Sequence, residues 1–176
     1  MGLDHARAGS GGGQVKRILW LLGLAVLAAT PAGAQRNETA DRAAIHALLV
    51  AYGTTLDSRD FDGFGKLFGT DGIYVAFGGK TAKGGPAAAG MMRQLFASMA
   101  NPEREPNFHL FFNEVVTFEG PDRAHATSMS LWMINGPDKR PIPALAGRYD
   151  DELVRKDGHW LFARRTLVPV TNGPAK

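Results

Sequence analysis

The chain has 176 residues, with 20 Lys and Arg against 17 Asp and Glu, a net charge of +3 and no cysteine. The missing cysteines exclude a disulfide scaffold, a thiol nucleophile and a lipid anchor on an N-terminal Cys. The length suits one domain with one core.

Lys16 and Arg17 precede the apolar run "ILWLLGLAVLAA", and "TPAGAQ" follows with Ala32 and Ala34. A positive start, a short greasy core and small residues are the plan of a secretory signal peptide. The run falls short of the roughly 20 residues that a permanent span needs. Residues 1–34 therefore read as a signal peptide cleaved after Ala34, and residues 35–176 as the mature domain, periplasmic or secreted. The leader carries Arg7, Lys16 and Arg17 against Asp4, so cleavage lowers the net charge to about +1. The basic whole-chain balance is then no nucleic-acid footprint, and no stable membrane insertion follows cleavage.

From Thr39 the spacing of Ile45, Leu49, Tyr52 and Leu56 predicts a helix with one apolar stripe, and Asp41 suits its positive end. Asp60 reads as the N-cap of a second short helix that buries Phe61, Phe64, Leu67 and Phe68. "TDGIYVAFGG" is extended and bracketed by glycines, and "GGPAAAGMMRQLFASMA" opens a third helix at Pro86. After Pro106 the period becomes two. "FHLFFNEVVTFEG", "RAHATSMSLWMIN", "AGRYDDELVRKDG" and "HWLFARRTLVPV" are four strands, separated by "GPD", "GPDKRPIPAL" and the tight "KDG" turn. Helices followed by an antiparallel meander predict an α+β fold, with helices laid on one face of a curved sheet.

Strand alternation puts His109, Phe111, Asn113 and Val115 on one face and Leu110, Phe112, Glu114 and Val116 on the other. Asp57, twelve positions after Ile45, falls on the flank of the helical stripe, where a carboxylate can border a pocket. From the residues alone His109 is either a hydrogen-bonded structural histidine or a base, and Asp57 either turn punctuation or a catalytic group. His46, His125 and His159 are weaker candidates. No pair has zinc-site spacing, the glycine-rich pieces match no nucleotide loop, and no serine sits in a nucleophile elbow, so neither metal nor cofactor is expected.

Taken together, "AAIHALLVAYGTTLDSRDFDGFGKLFGTDGIYV", "HLFFNEVVTFEGPDRAHAT" and "GRYDDELVRKDGHWLFARR" resemble the SnoaL-like branch of the nuclear transport factor 2-like superfamily, which includes scytalone dehydratase and lindane dehydrochlorinase. The resemblance implies a cone, with three N-terminal helices closing a curved antiparallel sheet around a mostly apolar pocket. It implies cofactor-free lyase or isomerase chemistry on a small hydrophobic or aromatic molecule, with Asp57 and His109 as the general-base dyad. It also places Tyr52, Tyr74, Phe111, Asn113, Trp132, Tyr149 and Arg165 around the substrate, with Arg165 near the leaving group. Ile134 stands at about the position of the dehydratase's second histidine, which argues against an identical dehydration. Two other readings stay open: an exported module that binds a small molecule without turnover, and a homo-oligomer, dimer or trimer, formed through a sheet face bearing Trp160, Phe162 and Val168.

Overall fold

The computed structural model describes residues 37–99 and 107–170, so the predicted signal peptide lies outside the described residues. Helix α1 spans Glu38–Asp57, with the Asn37 side chain accepting from the Ala40 amide at its start. Its stripe is buried as the spacing requires: Ile45, Leu49, Tyr52 and Leu56 are all at most 2% exposed. Helix α2 spans Phe61–Lys66, and Asp60 caps it by accepting from the Gly63 amide at 2.8 Å. Helix α3 covers Gly85–Ala97, with Pro86 in its first turn, where a missing N–H costs nothing.

Six strands follow the chain as β1 (Phe68–Val75), β2 (Thr81–Lys83), β3 (Phe108–Phe118), β4 (Arg123–Asn135), β5 (Pro141–Lys156) and β6 (His159–Pro169). They form one curved sheet in the order β2-β1-β6-β5-β4-β3. All neighbours are antiparallel except β1 and β6, which run parallel. The core lies between the helices and one face of this sheet, with α1 against β3 and β6 and α3 against β1 and β2. The α+β class holds, but the helices are not all N-terminal, because β1 and β2 precede α3.

The structure corrects several expectations. Helix α2 stops at Lys66; Leu67 is its C-terminal cap and Phe68 opens β1, because Phe68 pairs with Phe162 of β6. The linker expected up to Leu145 is shorter, since β5 already begins at Pro141. Pro141 and Pro143 fit there because β6 pairs with β5 only from Gly147 onward, leaving that stretch an edge where a missing donor is harmless. The "KDG" turn is a tight reversal with positive φ at Asp157 and Gly158, as a two-residue hairpin demands.

Two register shifts reassign faces. In β3 the ladder shifts between Phe112 and Val115, with Asn113 at φ 54°, so Val115 turns outward at 60% exposure and Val116 turns into the core. Asn113 and Val115 therefore do not share the face of His109. In β6 a shift between the partners of Glu152 and Leu153 breaks the alternation after Phe162. Trp160 and Phe162 face the core, and so do Arg165 and Leu167, whereas Val168 is only half-buried. The sheet face expected to carry Trp160, Phe162 and Val168 together does not exist.

Candidate functional site

Asp57 is the last residue of α1, where the aligned carbonyls make a poor neighbour for a carboxylate. Local groups satisfy those carbonyls: the Asp60 amide bonds the Thr55 carbonyl at 2.8 Å, and the Arg59 guanidinium bonds the Leu56 carbonyl at 3.0 Å. The carboxylate itself is taken up by β3. Its Oδ2 accepts from the His109 backbone amide at 2.9 Å, and its Oδ1 lies 2.6 Å from His109 Nδ1. A carboxylate can only accept, so the ring nitrogen that faces it carries a proton, and in the neutral ring the lone pair is on Nε2.

The His109 ring is held in its plane as well as by its edge. It stacks against Phe111, two residues along the strand, and against Trp132, its cross-strand partner on β4, at 14° and 19° between planes. The Trp132 indole N–H is fixed in turn by the Asn107 side chain. With only 9% of its side chain exposed, His109 has its edge on a cavity of about 920 Å³.

The cavity lining combines apolar side chains with a few polar ones. Met91, Met92, Phe96, Met99, Leu145 and Leu167 supply an apolar wall. Tyr52, Tyr74, Tyr149 and Ser130 line it together with His109. The Tyr149 hydroxyl donates to the Tyr52 hydroxyl at 3.2 Å, and the Tyr52 and Tyr74 hydroxyls are 3.0 Å apart. Either hydroxyl of the Tyr52–Tyr74 pair can be the donor, and all three tyrosines line the cavity. Burial raises all three phenols above their ordinary range, with Arg165 pulling the other way, so at neutral pH they are donors and not bases.

Arg165 is not on the cavity wall. It is fully buried behind the tyrosines, with Nη1 2.6 Å from Asp151 Oδ2 and its guanidinium carbon 3.7 Å from the Tyr149 ring centre and 4.1 Å from that of Tyr52. An arginine sealed this way supports the tyrosine rings and cannot reach a leaving group. Asn113 is exposed at the bulge of β3, and Phe111 packs behind His109, so neither lines the cavity. Of the residues predicted for the site, the structure brings together Asp57, His109, Tyr52, Tyr74, Trp132 and Tyr149.

Sequence reasoning missed Ser130 and Asp151. The signal for Ser130 was the run Ala124, Ala126, Ser128, Ser130 and Trp132, alternate residues of β4 that are small where a strand facing packed helices is usually bulky. Asp151 had no local signal, because its partner Arg165 reaches the interior only through the register shift of β6. Among the described residues no group of three or more His, Cys, Asp or Glu is placed to hold a metal ion.

A family model described as the SnoaL-like domain matches residues 37–166. None of the curated proteins matches the chain. Among solved structures, a nuclear transport factor 2-like protein with a cystatin-like fold from Novosphingobium aromaticivorans shares 26% identity, with a TM-score of 0.67 over 77% of this chain and 86% of that one. A provisional scytalone dehydratase from the same species shares 23%, with a TM-score of 0.64 over 76% and 87%. LinA shares 22%, with a TM-score of 0.64 over 78% and 97%. The last two likenesses concern the fold. The match spans the helices, the sheet and both partners of the Asp57–His109 pair, and the chain belongs to the SnoaL-like domain family, with structural neighbours in the nuclear transport factor 2-like superfamily.

Proposed function

We propose that this protein is a cofactor-independent lyase or isomerase acting on a small molecule with a hydrophobic or aromatic body, with His109 as general base and Asp57 as its partner. The observation that carries this reading is the 2.6 Å contact between His109 Nδ1 and Asp57 Oδ1, on a histidine that lines the cavity. Burial alone would make a histidine a weak base, because it disfavours the cation. A carboxylate beside it fixes the tautomer and stabilises the imidazolium that forms.

In the proposed step Nε2 takes a proton from a substrate carbon, and the C–H electron pair becomes a new double bond. The group on the adjacent carbon departs with its own pair, and Tyr74, at the end of the hydroxyl chain, protonates it where it is an oxygen. A positioned base of this kind contributes about 10² to 10⁴ in rate. The likeness in fold to LinA, a hexachlorocyclohexane dehydrochlorinase, and to a provisional scytalone dehydratase supports an elimination over a transfer reaction.

The test is a screen of small cyclic β-hydroxy ketones and halocarbons for loss of water or halide. His109→Ala and Asp57→Asn should each abolish the turnover found while circular dichroism stays native. Full turnover in either variant sinks the mechanism. Export is part of the proposal and rests on the run after Lys16 and Arg17. N-terminal sequencing of protein from the periplasmic fraction should begin at Gln35, and a chain kept in the cytoplasm with its leader intact contradicts it.

A further inference from the structure

The mouth of the cavity is built by the β1–β2 hairpin. The chain leaves β1 at Val75, turns through Phe77–Gly79 and enters β2 at Thr81, closed by the Ala76 amide on the Lys80 carbonyl at 2.8 Å. Gly78 and Gly79 sit at φ 78° and 79° with open space where a Cβ would stand, so the backbone, not crowding, calls for glycine there. This turn sets two unlike side chains on the cavity rim. Phe77 is 56% exposed, unusual for an aromatic with no partner surface over it. Lys80, in extended backbone just before β2, lines the cavity together with Thr81, Ala82 and Lys83, and Ala82 is the cross-strand partner of Tyr74.

Charge around the cavity is one-sided. Among the described residues its lining holds Lys80, Lys83 and His109 and no carboxylate. Lys83 is offset by Asp71, 3.2 Å from its Nζ, whereas Lys80 has no ion-pair partner among the described residues. Asp57 is engaged by His109. The lining therefore offers apolar side chains, a row of hydroxyls, and at the exposed β1–β2 turn an uncompensated cation and an exposed aromatic ring.

We infer that the substrate is an amphipathic anion: an apolar, ring-sized body that enters the cavity, with an acidic group of the carboxylate or sulfonate kind held at the mouth by Lys80 and shielded by Phe77. At about 920 Å³ the cavity is near the upper end of the roughly 300–1,000 Å³ that drug-sized ligands occupy. The inference names the substrate class of the site proposed above and rests on that reading only for what happens after binding.

Two fluorescent probes of nearly the same body separate the charge from the apolar term: 8-anilinonaphthalene-1-sulfonate and the neutral N-phenyl-1-naphthylamine. Both are titrated into the full chain, with energy transfer from tryptophan reporting binding and Trp132→Phe, which removes a tryptophan lining the cavity and leaves Trp160, as the control. The sulfonate is expected to bind at least tenfold more tightly at low salt, with the advantage shrinking as salt is added. Lys80→Gln, an exposed position that folding does not need, should erase most of that advantage and leave the neutral probe unchanged. Asp57→Asn should keep it, so a failure of the catalytic reading leaves this result standing. Equal affinity for the two probes, no binding of either, an advantage that survives Lys80→Gln, or energy transfer that Trp132→Phe does not reduce each overturns the inference.

Discussion

Both carboxylate oxygens of Asp57 are committed to one residue: Oδ2 to the His109 amide at 2.9 Å and Oδ1 to its ring at 2.6 Å. The first contact fixes where the strand lies against the end of α1, and the second fixes the imidazole. Asp57→Asn keeps the size but offers an amide that no longer stabilises an imidazolium. We expect kcat/KM to fall by about 10²-fold or more, with the double variant Asp57→Asn/His109→Ala little worse than His109→Ala alone. Additive losses in that cycle, measured on any substrate found, would show that the two residues do not act as a unit.

Tyr52, Tyr74 and Tyr149 are the only tyrosines in the chain, and burial raises all three. Native protein should therefore show no tyrosinate absorbance at 295 nm near pH 10, the ordinary phenol value, and the full signal should appear only on unfolding. A folded pKa above the unfolded one gives stability that is present below about pH 10 and lost as pH rises through the folded values. Alkaline unfolding and tyrosine ionisation should thus coincide. A native titration with a midpoint near 10 contradicts the buried hydroxyl chain.

Burial raises the Asp151 carboxyl to about 7 despite the guanidinium of Arg165 against it. The sign is the reverse of the usual carboxylate: folding favours the proton, so this group's contribution is present below about pH 4 and lost as pH rises to about 7. A carbon-13 titration of the Asp151 carboxyl should have its midpoint near 7, and a midpoint below 4 refutes the direction. Arg165→Met leaves a buried acid without its partner and should cost about 3–5 kcal/mol. Arg165→Met/Asp151→Leu should recover much of that loss in urea unfolding.

Gly53 lies inside α1, where Gly→Ala ordinarily stabilises by about 1 kcal/mol. Here an added Cβ would stand 2.7 Å from Phe111 Cε2 and 3.2 Å from His109 Cβ. Gly53→Ala should push β3 off the helix, lose about 1–3 kcal/mol to overpacking and cut activity by displacing His109. A variant that is both more stable and fully active would mean that strand and helix are not locked at this contact.

Much of the fold was legible because its signals are local. The apolar period of Ile45, Leu49, Tyr52 and Leu56, the Asp60 cap and the "KDG" turn each report on backbone within a few residues. Strand alternation likewise put His109 and Phe111 on one side of β3, and the family resemblance paired His109 with Asp57 across 52 positions.

Long-range pairing was not legible. A bulge inserts one residue and inverts the alternation beyond it, so Asn113 left the face of His109 and Arg165 joined that of Phe162. Asp41, read as a dipole residue, is buried with Arg155 and the Trp160 indole N–H, partners more than a hundred positions away. The sequence by itself determined most of the helices and strands, and its family resemblance paired one acid with one imidazole. Only the tertiary structure decided which side chains reach the cavity, because that depends on single-residue register shifts whose cost and benefit lie in contacts between distant strands.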